Sequence, residues 1–496
     1  MSPTSDTDTS SFPVLDPNLD AAAASADEAD AAESSGPPAA SAAANTAAEP
    51  VTTGPGKPGL RARLAASVSD PVLRILVGAT LISRLGRGIF LTVTVLYFTL
   101  IVGLTPGEVA IVLASASAAG VVASFAGGWL ADRFSAKRLL ITFTSIEGVA
   151  LIAYVFAGDF VTALVIAVIC GLFEQGANST RSAIIARAFT GESRVHARAV
   201  LRAVTNVSIA VGSGFGALAL AIGTAEAYRW LIVGAGLMYL LGLFQLVRLP
   251  SRVDAPARAA VAEVVTETGT VDAAATADAI AAERRSWRGH SPWRDSRYLL
   301  LTVLSAIFGM QFGVAELGVP LWITRETAAP EVIISVLLII NTTIVVLFQV
   351  PMSRGTHDLR VAGRVSGISA WLMAATCLVY AAAAGLPVAF AIAVLVVAAI
   401  AHAFAEVLSQ AGGWGLSFEL ADPVRAGGYQ GVFGMGYSVG ALAAPLVVNA
   451  TAISHGLAGW AVLAGIFLAS GLGIRWIART AAKRADAAVA TGAAIA

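Results

Sequence analysis

The sequence predicts an all-α membrane protein in which twelve transmembrane helices form two six-helix halves. Apolar residues make up 57% of the 496-residue chain and charged residues only 13%, against roughly 45–50% and 25% in soluble domains. Mean hydropathy is +0.76, so lipid rather than water must cover most of the surface. The apolar residues fall in six long segments, a polar interruption, then six more. The 48 glycines suit close-packed membrane helices better than soluble ones.

A window of about 19–20 residues marks the segments. They lie near 76–103, 107–128, 138–157, 160–182, 203–223 and 229–248, then 298–322, 331–351, 363–384, 387–409, 430–452 and 457–477. Their apolar runs are too continuous for barrel strands, which alternate. The chain therefore divides into a tail (1–70), a first half (71–248), a central loop (249–297), a second half (298–478) and a short C-terminal tail (479–496). Residues 1–50 hold nine acidic side chains and no Lys or Arg, and the rest of the chain has a balance of +9. The tail is rich in Ala, Ser, Thr and Pro, a composition that predicts disorder, and it lacks the pattern of a signal peptide. Cys170 and Cys377 lie in separate apolar segments and read as small buried residues.

Lys and Arg set the expected orientation. Connections after the second, fourth, eighth and tenth segments hold Arg133, Lys137, Arg187, Arg194, Arg198, Arg202, Arg354, Arg360 and Arg425. Those after the odd-numbered segments hold only Arg325, with Arg229 at the edge of the sixth segment. This asymmetry predicts that both termini and the central loop are cytoplasmic in a plasma (inner) membrane protein.

Between the second and third segments runs Gly127-Gly128-Trp129-Leu130-Ala131-Asp132-Arg133-Phe134-Ser135-Ala136-Lys137-Arg138. Gly128 permits close helix approach, Asp132 can cap or pair at a helix end, and Arg133, Lys137 and Arg138 form a basic run. The segment resembles the signature G-x-L-A-D-R-x-G-R-K of the major facilitator superfamily, with Ser135 and Ala136 as departures. The resemblance implies a transporter whose first, fourth, seventh and tenth helices line a central cavity. It also implies that Gly128, Asp132, Arg133, Lys137 and Arg138 latch the cytoplasmic side, a latch the two departures would loosen. Gln175-Gly176 matches part of a second family signature, with Leu172 in place of its Arg. Gly212-Ser213-Gly214-Phe215-Gly216 resembles an antiporter signature and reads equally as a small-residue packing face. Gln349-Val350-Pro351 and Ser353-Arg354 occupy the place of a degenerate repeat of the first motif.

Ionisable groups at membrane depth are costly and so are candidates for function. They are Arg84, Arg87, Glu147, Glu174, Arg181, Glu316, His402 and Glu406. All except Glu147 fall on the four helices that the resemblance places around the cavity; Glu147 reads as structural. Glu174, Asn178 and Arg181 share one helix face, as do His402, Glu406 and Gln410. Glu406 or Glu174, with Glu316 third, is the candidate proton carrier, with the arginines as counter-charges and His402 as a relay. Trp322, Trp414 and Trp460 fall near segment ends and read as interfacial anchors.

No phosphate-binding loop, zinc signature or catalytic constellation is present, and His196, His290 and His357 have no ligand-like spacing. The expected protein is not an enzyme and needs no cofactor, metal or nucleic acid. It is expected to be a monomer that moves a small molecule by alternating access. By resemblance the expected mode is proton-coupled efflux of an amphipathic compound, with nutrient uptake as the alternative.

Overall fold

The computed structural model describes residues 69–254 and 291–490. Almost all of the tail expected over 1–70, most of the 249–297 loop, and residues 491–496 lie outside the described residues.

Among the described residues every regular element is helical. The first half holds α1 (Pro71–Leu96, continued by a π-turn to Ile101), α2 (Pro106–Arg133), α3 (Ala136–Ala153), α4 (Phe160–Ala188), α5 (Gly191–Ile222) and α6 (Ala225–Leu246). The second holds α7 (Ser296–Glu326), α8 (Val332–Met352), α9 (Leu359–Ala382), α10 (Val388–Glu419), α11 (Ala426–Val448) and α12 (Ser454–Ala490).

Local chemistry explains many of the starts. Asp70, Thr105, Ser135, Asp159, Thr224, Asp295 and Asp358 cap α1, α2, α3, α4, α6, α7 and α9 with their side chains. At the α4 cap, hydrogen bonds from the Thr162 backbone and hydroxyl hold the Asp159 carboxyl below its ordinary range. The last apolar run, Pro423–Ala487, has 65 residues. As one straight helix it would be about 98 Å long, far more than a bilayer core of roughly 30 Å. It breaks at the π-turn Asn449–Ile453 and at Gly456, whose φ of 56° admits the reversal. The described residues thus hold twelve crossings.

Helix pairing repeats between the halves. In the first half α1 packs on α5 and α6, α2 on α4, and α3 on α4 and α6; in the second the same pairs recur six helices later. The halves meet where α2 and α4 pack on α11 and where α5 packs on α8; α2–α11 and α5–α8 are pairs that the same symmetry exchanges. Large apolar side chains such as Leu100, Val122, Phe156, Trp230 and Phe244 are exposed and form the lipid-facing surface.

Several expectations change. α5 begins at Gly191 rather than near 203, and α10 runs to Glu419 rather than 409. Arg194, Arg198 and Arg202 lower local hydropathy, so a lipid-based window ends before the helix does. Arg198 and Arg202 are therefore helical residues inside the bundle, not loop charges. The tryptophans also move inward. Trp460 and Trp322 are buried against each other with ring centroids 5.7 Å apart, and Trp322 Nε1 donates to the Tyr380 carbonyl at 2.9 Å. Trp414 is buried five residues before the end of α10. α12 continues as a helix to Ala490.

The α2–α11 contact is backbone on backbone. A Cβ at Gly128 would lie 2.8 Å from Gly431 Cα, and it would also strike the Gly427 carbonyl. Gly128→Val is expected to prise this contact open and lower stability by about 1–3 kcal/mol. Thermal unfolding in detergent measures the loss, and an unchanged midpoint would contradict the packing.

Candidate functional site

Two charged clusters occupy the inside of the bundle. In the first half, Glu174 on α4 receives Arg84 Nη1 at 3.4 Å and Arg87 Nη1 at 2.9 Å from α1. Arg84 Nη2 also donates to Asn178 Oδ1 at 2.5 Å, and Arg181 Nη1 reaches the same oxygen at 3.1 Å. Glu147 on α3 sits behind this group, among Arg84, Arg87 and Tyr239. The structure thus brings together Arg84, Arg87, Glu174, Asn178 and Arg181, all singled out by helical spacing or depth. Glu147 joins them from a helix outside the expected cavity set.

The second cluster is a seam between the halves. Arg194, Arg198 and Arg202 stand at i, i+4 and i+8 on α5, one stripe of that helix. Each meets α10. Arg202 Nη2 donates to Glu406 Oε1 at 3.0 Å, and the Arg198 guanidinium lies 5.3 Å from the Trp414 ring centroid. Arg194 pairs with Glu419 at 3.5 Å and lies 5.6 Å from the Phe418 ring. The pairing runs antiparallel along the two helices. Glu406 is also bound through Oε2 by Asn341 Nδ2 of α8 at 3.0 Å, and its side chain is 5% exposed. Arg202 stacks 5.3 Å from Phe312 on α7.

Glu316 belongs to this seam. It lies in a π-turn of α7, Val314–Gly318, just before Pro320. Pro320 has no N–H to bond the Glu316 carbonyl one turn back, so the regular ladder is interrupted there. Glu316 is exposed, and its electrostatic neighbours are Glu406 and Arg202. His402 turns elsewhere. Its Nδ1 lies 3.5 Å from the Tyr380 hydroxyl of α9, within the second half.

Closure at the arginine-rich end involves the motif. Asp132, at the end of α2, accepts from the backbone N–H of Gly427 at 2.8 Å and of Gly428 at 2.6 Å, capping α11 from the opposite half. Arg187 from α4 pairs with the same carboxylate. Gly128 allows the approach. Arg133 lies flat on Trp129, 3.6 Å from its ring centroid, and Lys137 Nζ donates to the Leu249 carbonyl at 2.6 Å within its own half. Arg138 donates its backbone N–H to Ser135 Oγ at 3.2 Å. Ser135, a departure from the motif, also donates to Asp254 at 3.0 Å and so has its own structural role. The glycine-rich stretch of α5 packs on α1: a Cβ at Gly212 would strike the Leu85 backbone, and one at Gly216 would lie 2.6 Å from Thr92 Cβ. Gly212 and Gly216 thus pack on α1, whereas a Cβ at Gly214 would meet open space.

Across the described residues, the hydrogen bonds and ion pairs linking the halves lie between the middle of the helices and this basic end. Against this geometry, a family model described as Major Facilitator Superfamily matches residues 76–445. The chain belongs to the Major Facilitator Superfamily. It is an integral, multi-pass membrane protein. It is similar to a probable sulfoacetate transporter, SauU, of Cupriavidus necator, at 32% identity over 104 residues. That match covers 21% of this chain and spans 23% of the relative's length. Two solved structures share the fold. The human organic anion transporter MFSD10 (TETRAN) superposes with a TM-score of 0.61 at 15% identity, covering 82% of this chain and 99% of the other. The proton:xylose symporter XylE, bound to 6-bromo-6-deoxy-D-glucose, also gives 0.61 at 15% identity, covering 84% and 96%.

Sequence reasoning missed Arg198, Arg202 and Asn341 as members of this site. The four-residue spacing of Arg194, Arg198 and Arg202 was the available signal for the α5 stripe. Asn341 had none, because a single amide in an apolar segment carries no pattern.

Proposed function

We propose that the protein is a secondary active transporter that moves a small molecule by alternating access, with proton movement coupled through Glu406. The Arg202–Glu406 pair carries this reading, because it joins the two halves near mid-membrane and must break when they part. A carboxylate that loses its guanidinium partner in a dry site favours the neutral form and takes up a proton. Glu316 stands beside the same arginine and provides a second carboxylate within reach. Family membership and the transporters named above support the class of activity. An inner face combining charge with Trp414, Phe312 and Tyr437 fits a solute with one charged end and an apolar body. Both halves are in one chain, so a monomer suffices.

The test is purified protein in liposomes with an imposed pH gradient and a panel of small solutes. At least one solute should accumulate only with the gradient and carry protons with it, read by an internal pH dye. No gradient-dependent accumulation by any solute would overturn the proposal. We further place the basic end in the cytoplasm. Ser251→Cys should then react with an impermeant maleimide only after cells are permeabilised, and labelling of intact cells would reverse the orientation.

A further inference from the structure

We infer that the transported solute is a small organic anion whose charged group seats between Arg181 on α4 and Arg198 on α5. This rests on the transport reading above and adds the chemical class of the substrate.

The observation is a mismatch of partners. Among the described residues the two interior clusters hold six arginines: Arg84, Arg87, Arg181, Arg194, Arg198 and Arg202. Glu174 takes Arg84 and Arg87, Glu419 takes Arg194, and Glu406 takes Arg202. Glu147 neighbours the first pair and also acts on Arg181 from a distance, and Glu316 neighbours the second. Arg181 and Arg198 have no carboxylate within ion-pair distance among the described residues. Arg181 reaches only a neutral amide oxygen, Asn178 Oδ1 at 3.1 Å, and shares it with Arg84. Its Nε is buried and makes no hydrogen bond. Arg198 donates to a neutral hydroxyl, Ser182 Oγ at 2.9 Å, on the residue that follows Arg181.

Two half-buried guanidiniums whose charges act on each other repel, and neutral oxygens do not offset their charge. A carboxylate or sulfonate placed between them would, and it would accept the donors now satisfied by weaker partners. Trp414 lies against Arg198, and Tyr437, held by Gln410 at 3.4 Å, lies near Arg198 and Arg202. These rings supply an apolar wall for the body of the anion. The site adjoins the Arg202–Glu406 seam, so an anion bound there would sit where the halves separate.

The test uses the full chain in phosphatidylcholine nanodiscs, which carry no anionic lipid. Thermal unfolding is followed with acetate, benzoate, ethanesulfonate and benzenesulfonate, and with benzamide and benzylamine as neutral and cationic controls. At least one anion should raise the midpoint where the controls do not. Arg181→Gln and Arg198→Gln should weaken that anion's apparent affinity about tenfold or more, with partial recovery in the Lys variants. The Gln variants without ligand should be as stable as the parent chain or more so, because an unneutralised charge is gone. If either fails to fold, the Lys variants and the parent chain still decide the matter. Stabilisation by benzamide or benzylamine alone, or by no anion of the panel, overturns the inference. So does full anion affinity in the Gln variants. A response only to vesicles containing phosphatidylglycerol would assign the two arginines to a lipid headgroup and also overturn it. Counterflow of the radiolabelled anion separates the two readings: binding without counterflow would sink transport and keep the anion site, whereas movement of neutral solutes alone would do the reverse.

Discussion

Asp132→Asn is expected to slow transport by about a hundredfold while leaving folded protein in the membrane. The carboxylate accepts two backbone N–H groups of α11 and pairs with Arg187, so one side chain ties three helices at the basic end. Asn keeps an oxygen but loses the charge, and its amide nitrogen would face donors that it cannot accept. A buried charged interaction of this kind is worth about 2–5 kcal/mol across an interface. On the alternating-access reading this contact is made when the basic end is closed, so its loss would fall on that state and shift the balance between states. Distances between spin labels on the ends of α2 and α11 should lengthen, and initial transport rates should fall. Normal rates with unchanged distances would remove Asp132 from the latch.

Glu406→Gln should abolish accumulation against a gradient while sparing downhill exchange. The amide can still meet Asn341, but it neither takes up a proton nor forms an ion pair with Arg202. Glu174→Gln serves as the contrast. Glu174 balances two arginines of its own half, so its loss leaves both without their shared counter-charge and should destabilise the fold by about 3–5 kcal/mol. Any Glu174→Gln protein that folds should retain coupling. Coupled transport by Glu406→Gln at the parental rate would show that proton movement does not depend on this carboxylate.

The twelve helices were legible because lipid imposes a simple rule, about twenty apolar residues per crossing. That rule also caused the errors. α5 and α10 extend beyond the lipid-matched stretch, and the arginines of α5 read as loop charges because they are polar. Trp414 read as an anchor because the end of α10 was drawn too early. The first cluster could be assembled in part, since Glu174, Asn178 and Arg181 share a periodic face on one helix. The seam could not. Arg202 and Glu406 are 204 residues apart, and nothing local to either names the other. The motif marked Asp132, but its partners in α11 are backbone amides, which leave no trace in side-chain identity.

The repeated pairing of helices has a mechanical consequence. A faithful duplication would give the bundle two clasps, one from α2 to α11 and its twin from α8 to α5. At the twin position the end of α8 carries Ser353 where α2 carries Asp132, and the Ser353 hydroxyl turns back to the Val350 carbonyl of its own helix at 2.9 Å. Gln349 stands where Gly128 allows close approach, and its amide is buried without a hydrogen bond. Among the described residues the carboxylate clasp therefore exists once. In a symmetric molecule one substitution would disable half of such a device; here a single change at position 132 disables all of it.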